Sequence, residues 1–143
     1  MSAVVAVALV LLAMTPGGPP PSAPPAPPPP GQADLALDAE NCVATAQTVE
    51  DVAQAIADAG GPRGEGVVHA IERAESRIEQ RLDTPDERLT ATFAEVGGGL
   101  YALRAAITAD TGVRAATENL IGLIDRLDQR CRDVLGGRPG GGG

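Results

Sequence analysis

The spacing of apolar residues between Leu35 and Val134 constrains the fold of this chain more than any other feature. Over four stretches the apolar residues recur at alternating steps of three and four, which places them along one face of an α-helix. Each stretch predicts a helix of about 20 to 25 residues, or about 30 to 37 Å at the rise of an α-helix. The four rows are Leu35, Ala39, Cys42, Ala46, Val49, Ala53 and Ile56; Val67, Ile71, Ala74, Ile78 and Leu82; Leu89, Phe93, Val96, Leu100, Leu103 and Ile107; and Val113, Ala116, Leu120, Ile124, Leu127, Cys131 and Val134.

Turn and capping residues separate the four stretches. Residues 60–66 are rich in glycine and contain a proline, and they predict the end of the first helix because proline cannot continue the helical ladder. The sequence TPDE at residues 84–87 predicts a capping box that starts the third helix. In such a box the Thr84 hydroxyl accepts a hydrogen bond from the Glu87 amide, and the Glu87 carboxylate accepts one from the Thr84 amide. Residues 110–112 supply the last turn.

The connections between the stretches set the expected topology. The second and third connections are only a few residues long, so consecutive helices are expected to lie antiparallel. The sequence therefore predicts an all-α, up-down-up-down four-helix bundle. The alternative is a long kinked hairpin in which the second helix runs through Pro85 into the third. The equal lengths of the four stretches favour the bundle.

Three consecutive glycines, residues 97–99, lie within the third stretch. Each glycine costs a helix about 1 kcal/mol relative to alanine, yet the apolar spacing passes through them from Val96 to Leu100. Side chains on a helix lean toward its N-terminus, so we expect the glycines to make room for the ring of Tyr101. A hinge or a break in the helix is the alternative.

The two cysteines, Cys42 and Cys131, lie in the core-facing rows of the first and last predicted helices. In an up-down bundle these helices are neighbours, and the two positions differ in level by only about 6 Å. An oxidising compartment lets such thiols pair. The sequence predicts a disulfide between the first and last helices, with two separate buried thiols as the alternative.

The chain divides by composition into four parts. Residues 1–15 form an uncharged apolar segment, shorter than the about 20 residues of a membrane-spanning helix, and predict a signal peptide. A short uncleaved anchor and an ordinary buried helix are the alternatives. Residues 16–33 predict an extended proline-rich stalk, with a docking motif for a proline-binding groove as the alternative. Residues 34–135 carry the helices, residues 136–143 predict a disordered glycine-rich tail, and the signal predicts a secreted or cell-envelope location.

Charge restricts the partners that the chain can bind. The 11 basic residues, all arginine, stand against 19 acidic ones and leave a net charge of -8. Such a field repels phosphate groups. We therefore expect no nucleic-acid partner, and contact with a membrane only if the N-terminal segment is uncleaved.

No arrangement of residues in the sequence matches a catalytic, metal or cofactor site. His69, the single histidine, lies off the apolar face, whereas a metal site needs several convergent ligands. Ser76 is the single serine between residues 34 and 135, and no base and orienting group accompany it. The carboxylates fall on outer helix faces. The sequence therefore predicts a protein that is not an enzyme and uses no cofactor.

Arg73, Arg77 and Arg81 form an i,i+4 ladder on the second predicted helix, which is mildly unfavourable because like charges stack. We expect solvated pairing with nearby carboxylates, and the alternative is that this face recognises an anionic partner in the cell envelope. The candidate carboxylates are Glu72, Glu75 and Glu79 on the same helix and Glu50, Asp51 and Asp58 on the first.

An early cysteine in the first helix and another in the last, after an export signal, form a layout that resembles several secreted actinobacterial helical domains, among them the mycobacterial haemophores. The resemblance is limited to this layout and the composition. The tyrosine and histidine of a haem pocket have no counterpart in the second helix, where His69 has no tyrosine near it.

These patterns predict an exported, non-enzymatic helical domain that acts in protein–protein or cell-envelope interaction. The alternative is an extracytoplasmic carrier of a small apolar ligand, haem or lipid, in the bundle core. A carrier needs a cavity of about 300 Å³ or more, whereas a seam of alanines brings helices close together and leaves little volume. The predicted seam consists of Ala39, Ala46, Ala53, Ala74 and Ala116.

Overall fold

The structure, a computed structural model, describes residues 30–136 and is all-α over that range. Its four helices are α1 (Pro30–Asp58), α2 (Val67–Glu79), α3 (Glu87–Ala109) and α4 (Val113–Leu135), and the described residues form no strand. Each helix packs against others to form a bundle. The predicted signal segment, most of the predicted stalk and residues 137–143 of the predicted tail lie outside the described residues.

The helices differ in length more than the sequence pattern predicted. Helix α1 has 29 residues and begins before Asp34, whereas α2 has only 13. The expectation of equal helices was therefore wrong, and Leu82 follows the end of its helix instead of lying within it. Proline disfavours the helical conformation at the residue before it, here Thr84, so the helix cannot continue into Pro85. The non-helical connection also rules out the kinked hairpin.

Helix α3 is capped by Asp86, and not by Thr84 as predicted. The Asp86 carboxylate accepts from the Arg88 amide at 2.8 Å, and the helix begins at Glu87. The Thr84 hydroxyl instead donates to Asp38 Oδ1 at 3.0 Å and accepts from Asn41 Nδ2 at 3.0 Å. The predicted capping box was wrong for two reasons. Asp86 is the residue directly before the helix and offers a charged acceptor to its first amides. The Thr84 hydroxyl is already engaged with the buried carboxylate of Asp38.

The core lies mainly among α2, α3 and α4. Its largest fully buried side chains come from the predicted apolar rows of α2 and α3. They include Phe93, Ile71, Ile78, Leu89, Leu100 and Leu103. Leu120 and Leu127 of α4 pack onto them. The apolar spacing therefore gives the correct inner faces of these helices.

Helix α1 is rotated relative to the prediction. Thr45, Thr48 and Val52 are buried, whereas Ala46 and Ala53 of the predicted alanine seam are exposed. The Thr48 hydroxyl is satisfied within the helix, since it donates to the Ala44 carbonyl at 2.8 Å. The alanine seam of α1 was therefore assigned wrongly to the core. Thr48 can face the core because its hydroxyl has this backbone acceptor, whereas the buried Thr45 hydroxyl has no hydrogen-bond partner among the described residues.

The three glycines of residues 97–99 do not interrupt α3, which is continuous through them. Tyr101 is 61% exposed and lines a surface pocket together with Gly97 and Gly98. A Cβ atom on Gly99 would lie 2.6 Å from Leu123 Cδ1 and 3.2 Å from Leu120 Cδ1. Gly99 therefore permits the close approach of α4.

Candidate interaction groove

A disulfide joins Cys42 of α1 to Cys131 of α4, with their Cα atoms 6.0 Å apart. The prediction of this bond is confirmed. Both cysteines also line two open cavities, one on each side of the bond. The disulfide thus crosses a surface groove between the two helices.

This surface, called here the α1–α4 groove, consists of a cavity of about 410 Å³ and a neighbouring one of about 670 Å³. Most of its lining is aliphatic, so an apolar partner can bury surface there. The lining residues are Cys42, Val43, Ala46, Val49, Glu50 and Ala53 from α1, Ile124, Leu127, Asp128, Cys131, Arg132 and Leu135 from α4, and Gly136 after it.

The rotation of α1 explains why the groove exists. Because Thr45 and Val52 face the core, the side chains of Val43, Ala46 and Ala53 point away from it. Helix α1 also packs less extensively on α4 than on α2. Small side chains and sparse packing leave the groove open, and the disulfide holds its two walls together.

Three large apolar side chains on α1 and α4 are exposed to solvent, and Leu37 of α1, 43% exposed, is the least exposed of them. Val43 is 57% exposed, and Ile121, on the outer side of α4, is 54% exposed. Scattered exposed apolar residues are normal, but Val43 lies in a contiguous apolar lining. A contiguous exposed apolar surface is typical of a site that another molecule covers. Val43 and Ile121 lie outside the predicted apolar rows, and their size was the sequence signal that could have identified them.

Each wall of the groove carries a carboxylate. Glu50 lies on the α1 wall and Asp128 on the α4 wall, and Asp128 forms an ion pair with Arg132 one turn further along its helix. The lining contains no histidine, no serine and no free thiol. The arrangement can therefore bind an apolar surface and orient positive charge, but its side chains do not assemble a nucleophile with a base.

The structure pairs one member of the arginine ladder with a predicted carboxylate. Arg77 Nη1 lies 2.9 Å from Asp51 Oδ2, which links α2 to α1 at an exposed position. Arg73 is exposed, and Arg81 has a buried Nε without a hydrogen-bond partner among the described residues. Neither forms an ion pair with any residue that the structure describes. An exposed pair such as Arg77–Asp51 contributes at most about 1 kcal/mol to stability.

His69 is exposed, and its Nδ1 lies 3.1 Å from Glu72 Oε2. Within residues 30–136, no group of three or more His, Cys, Asp or Glu side chains is placed to hold a metal ion. No helix in this range is long and apolar enough to cross a membrane.

A buried polar network that sequence reasoning missed ties α1 to the connection before α3. Asp38 Oδ1 accepts from the Thr84 hydroxyl at 3.0 Å and from the Asp86 amide at 3.1 Å. A hydrogen bond from the Arg88 side chain holds the pKa of Asp86 below its ordinary value. The signal that could have found the network is the row 38, 42, 45, 49 and 52, which has the same three/four spacing but includes polar residues.

We compared the chain with protein-family models, with curated proteins and with solved structures, and none of them matches it.

Proposed function

We propose that this chain is an exported, non-enzymatic helical domain that binds a protein or another component of the cell envelope through the α1–α4 groove. The observation that carries the proposal is the open apolar lining on both sides of the Cys42–Cys131 disulfide. Structural disulfides persist mainly in oxidising compartments, which supports a location outside the cytoplasm.

The organisation proposed for the remaining chain follows from the same reasoning. Residues 1–15 act as the export signal, and residues 16–33 form a stalk that separates the domain from the site of membrane passage. If the signal is cleaved, the domain is released from the membrane. If it is uncleaved, the stalk keeps the domain at the envelope.

We infer an up-down-up-down order for the helices. Ion pairs between neighbouring helices support it, since Glu75 of α2 meets Arg104 of α3 at 2.9 Å. Ile78, further along α2, meets the earlier residue Gly97 of α3. A later residue of α2 thus contacts an earlier residue of α3, as expected when two helices run antiparallel.

A second candidate function is the carriage of a small apolar ligand such as haem or a lipid. The observation in its favour is the groove volume, since the larger cavity of about 670 Å³ falls within the range of small-molecule sites. On this hypothesis the ligand lies in the groove between α1 and α4, because large side chains fill the space among α2, α3 and α4.

Site-specific photocrosslinking in cells that produce the full chain tests these functions. A photoreactive amino acid at Val43 is expected to crosslink a discrete partner protein, whereas the same group at the exposed Ala102 of α3 is not. A lipid or haem adduct at Val43, identified by mass spectrometry, favours the carrier. Equal labelling from Val43 and Ala102, or no adduct from Val43, contradicts the proposal.

A further inference from the structure

We propose that the occupant of the α1–α4 groove is an amphipathic α-helix of a partner protein, with one apolar row flanked by lysine or arginine. This inference rests on the proposed function, because it assumes that the groove is the binding surface. It adds the chemistry of the partner.

The shape of the groove fits a helix. Its α1 wall runs from Cys42 to Ala53, and its α4 wall runs from Ile124 to Leu135. At the rise of an α-helix each wall is about 17 Å long, or about three turns. That length accommodates apolar residues of a partner helix at positions i, i+3 or i+4, and i+7.

The small side chains of the groove allow close approach. Ala46 and Ala53 present single methyl groups on the α1 wall, and both are exposed. Packed helices come within about 8 to 10 Å of each other, and the shorter distances need small residues at the contact. A partner helix can therefore place leucine or isoleucine side chains over these alanines and bury them against Val49 and Ile124.

Charge selects a basic partner over an acidic one. Glu50 and Asp128 face the groove from opposite walls. Asp128 pairs with Arg132, the one cation of the lining, whereas Glu50 forms no ion pair among the described residues and leaves the groove with a net negative charge. The whole chain has a net charge of -8. At physiological salt, charges act over about 8 Å, so lysine or arginine beside the apolar row of a partner helix falls within reach of these carboxylates. The same field disfavours an anionic lipid headgroup.

The disulfide sets the width of the groove. It links the two walls at the boundary between the two cavities, where α1 and α4 pack sparsely. Cutting this link lets the walls separate, so a helix seated between them loses part of its contact. Binding is therefore expected to depend on the oxidised state.

The test uses the full oxidised chain and a fluorescent peptide of about 14 residues, which is four helical turns. The peptide contains only leucine and lysine, with leucine along one helical face, and binding is followed by fluorescence anisotropy. We expect saturable binding that weakens about tenfold or more when glutamate replaces every lysine. A peptide of the same composition with its leucines dispersed around the helix is expected to bind as weakly.

Variants locate the site. The double reversal Glu50→Lys with Asp128→Lys is expected to weaken binding of the lysine peptide about tenfold. The same charge change at two exposed positions elsewhere, Glu65→Lys with Glu118→Lys, controls for net charge and is expected to change it less than about twofold. Ala46→Gln is expected to obstruct the groove and weaken binding of the lysine peptide. Ala102→Gln, at an exposed position on α3, is the control and is expected to leave binding unchanged.

The outcomes separate this inference from the proposed function. Equal binding of the glutamate and lysine peptides overturns the inference, and so does an equal loss in the two double reversals. If crosslinking from Val43 nevertheless yields a protein partner, the proposed function stands and only the basic helix is excluded. If crosslinking from Val43 yields no adduct, the proposed function of the groove is contradicted, and the proposed basic helix is contradicted with it.

Discussion

At the scale of single residues, the contacts of Asp38 and Thr84 determine how α1 is held. Asp38 is 5% exposed, and its Oδ1 accepts two hydrogen bonds from the connection before α3. A buried carboxylate is costly unless donors surround it. This cost explains why Thr84 turns inward and leaves the capping of α3 to Asp86.

Replacing Thr84 with valine tests this account. The change keeps the shape of the side chain but removes one donor from Asp38 and the acceptor of Asn41. We expect a loss of about 1 to 3 kcal/mol in the free energy of unfolding, measured by urea denaturation. Thr108→Val is the control, since the exposed Thr108 hydroxyl donates only to a carbonyl of its own helix. Equal effects of the two substitutions would show that the network adds no stability.

Asp86 gives the domain a pH dependence. Its folded-state pKa is lowered below the ordinary value of 3.8, first by the hydrogen bond from the Arg88 side chain. A lowered folded pKa gives stability that is present above pH 3.8 and disappears as the pH falls through the folded value. We expect Asp86→Asn to lose stability at pH 7 and to show a smaller further loss on acidification, measured by denaturation at several pH values. Parallel pH profiles of the two proteins would contradict this.

At the scale of the helices, the apolar spacing predicts α2, α3 and α4 well because their inner rows are aliphatic. Helix α1 could not be placed from spacing alone. Two rows with the same spacing run along it, and the buried one contains Asp38 and Thr45. The choice between them depends on hydrogen bonds to residues more than forty positions away in sequence, such as Thr84. For the same reason the α1–α4 groove could not be predicted.

The glycines of α3 and α4 provide a matched pair. Gly99→Ala places a Cβ atom 2.6 Å from Leu123 Cδ1, and we expect overpacking to outweigh the gain in helix propensity of about 1 kcal/mol. Gly122→Ala meets nothing within 4 Å, so the same propensity gain should raise the melting temperature. Thermal unfolding followed by circular dichroism distinguishes the two. If Gly99→Ala also stabilises the protein, the close approach of α4 does not require glycine.

At the scale of the whole molecule, the proposed function assigns export to residues 1–15. Residues 1–33 fused to a reporter that is active only outside the cytoplasm are expected to give active reporter in the producing cell. Two arginines introduced into the middle of residues 1–15 should abolish that activity, because they interrupt the apolar run. Activity that survives this change would contradict the assignment of a signal peptide.

The disulfide couples α1 to the rest of the bundle. It closes a loop with a sequence separation of 89 residues and links the two helices across their sparse contact. The chain-entropy model assigns a loop of this size about 4.6 kcal/mol of stability. The core, in contrast, lies mainly among α2, α3 and α4.

Loss of the disulfide is therefore expected to destabilise α1 more than the other helices. In the double variant Cys42→Ser with Cys131→Ser, we expect the free energy of unfolding to fall by about 4.6 kcal/mol. Hydrogen exchange should accelerate first in the part of α1 near residue 42, while α3, which carries most of the large buried side chains, keeps its protection. Mass spectrometry of exchanged peptides resolves the two helices. Uniform acceleration across all four helices would show that α1 is held by the core as firmly as its neighbours, and that the disulfide stabilises the bundle only as a whole.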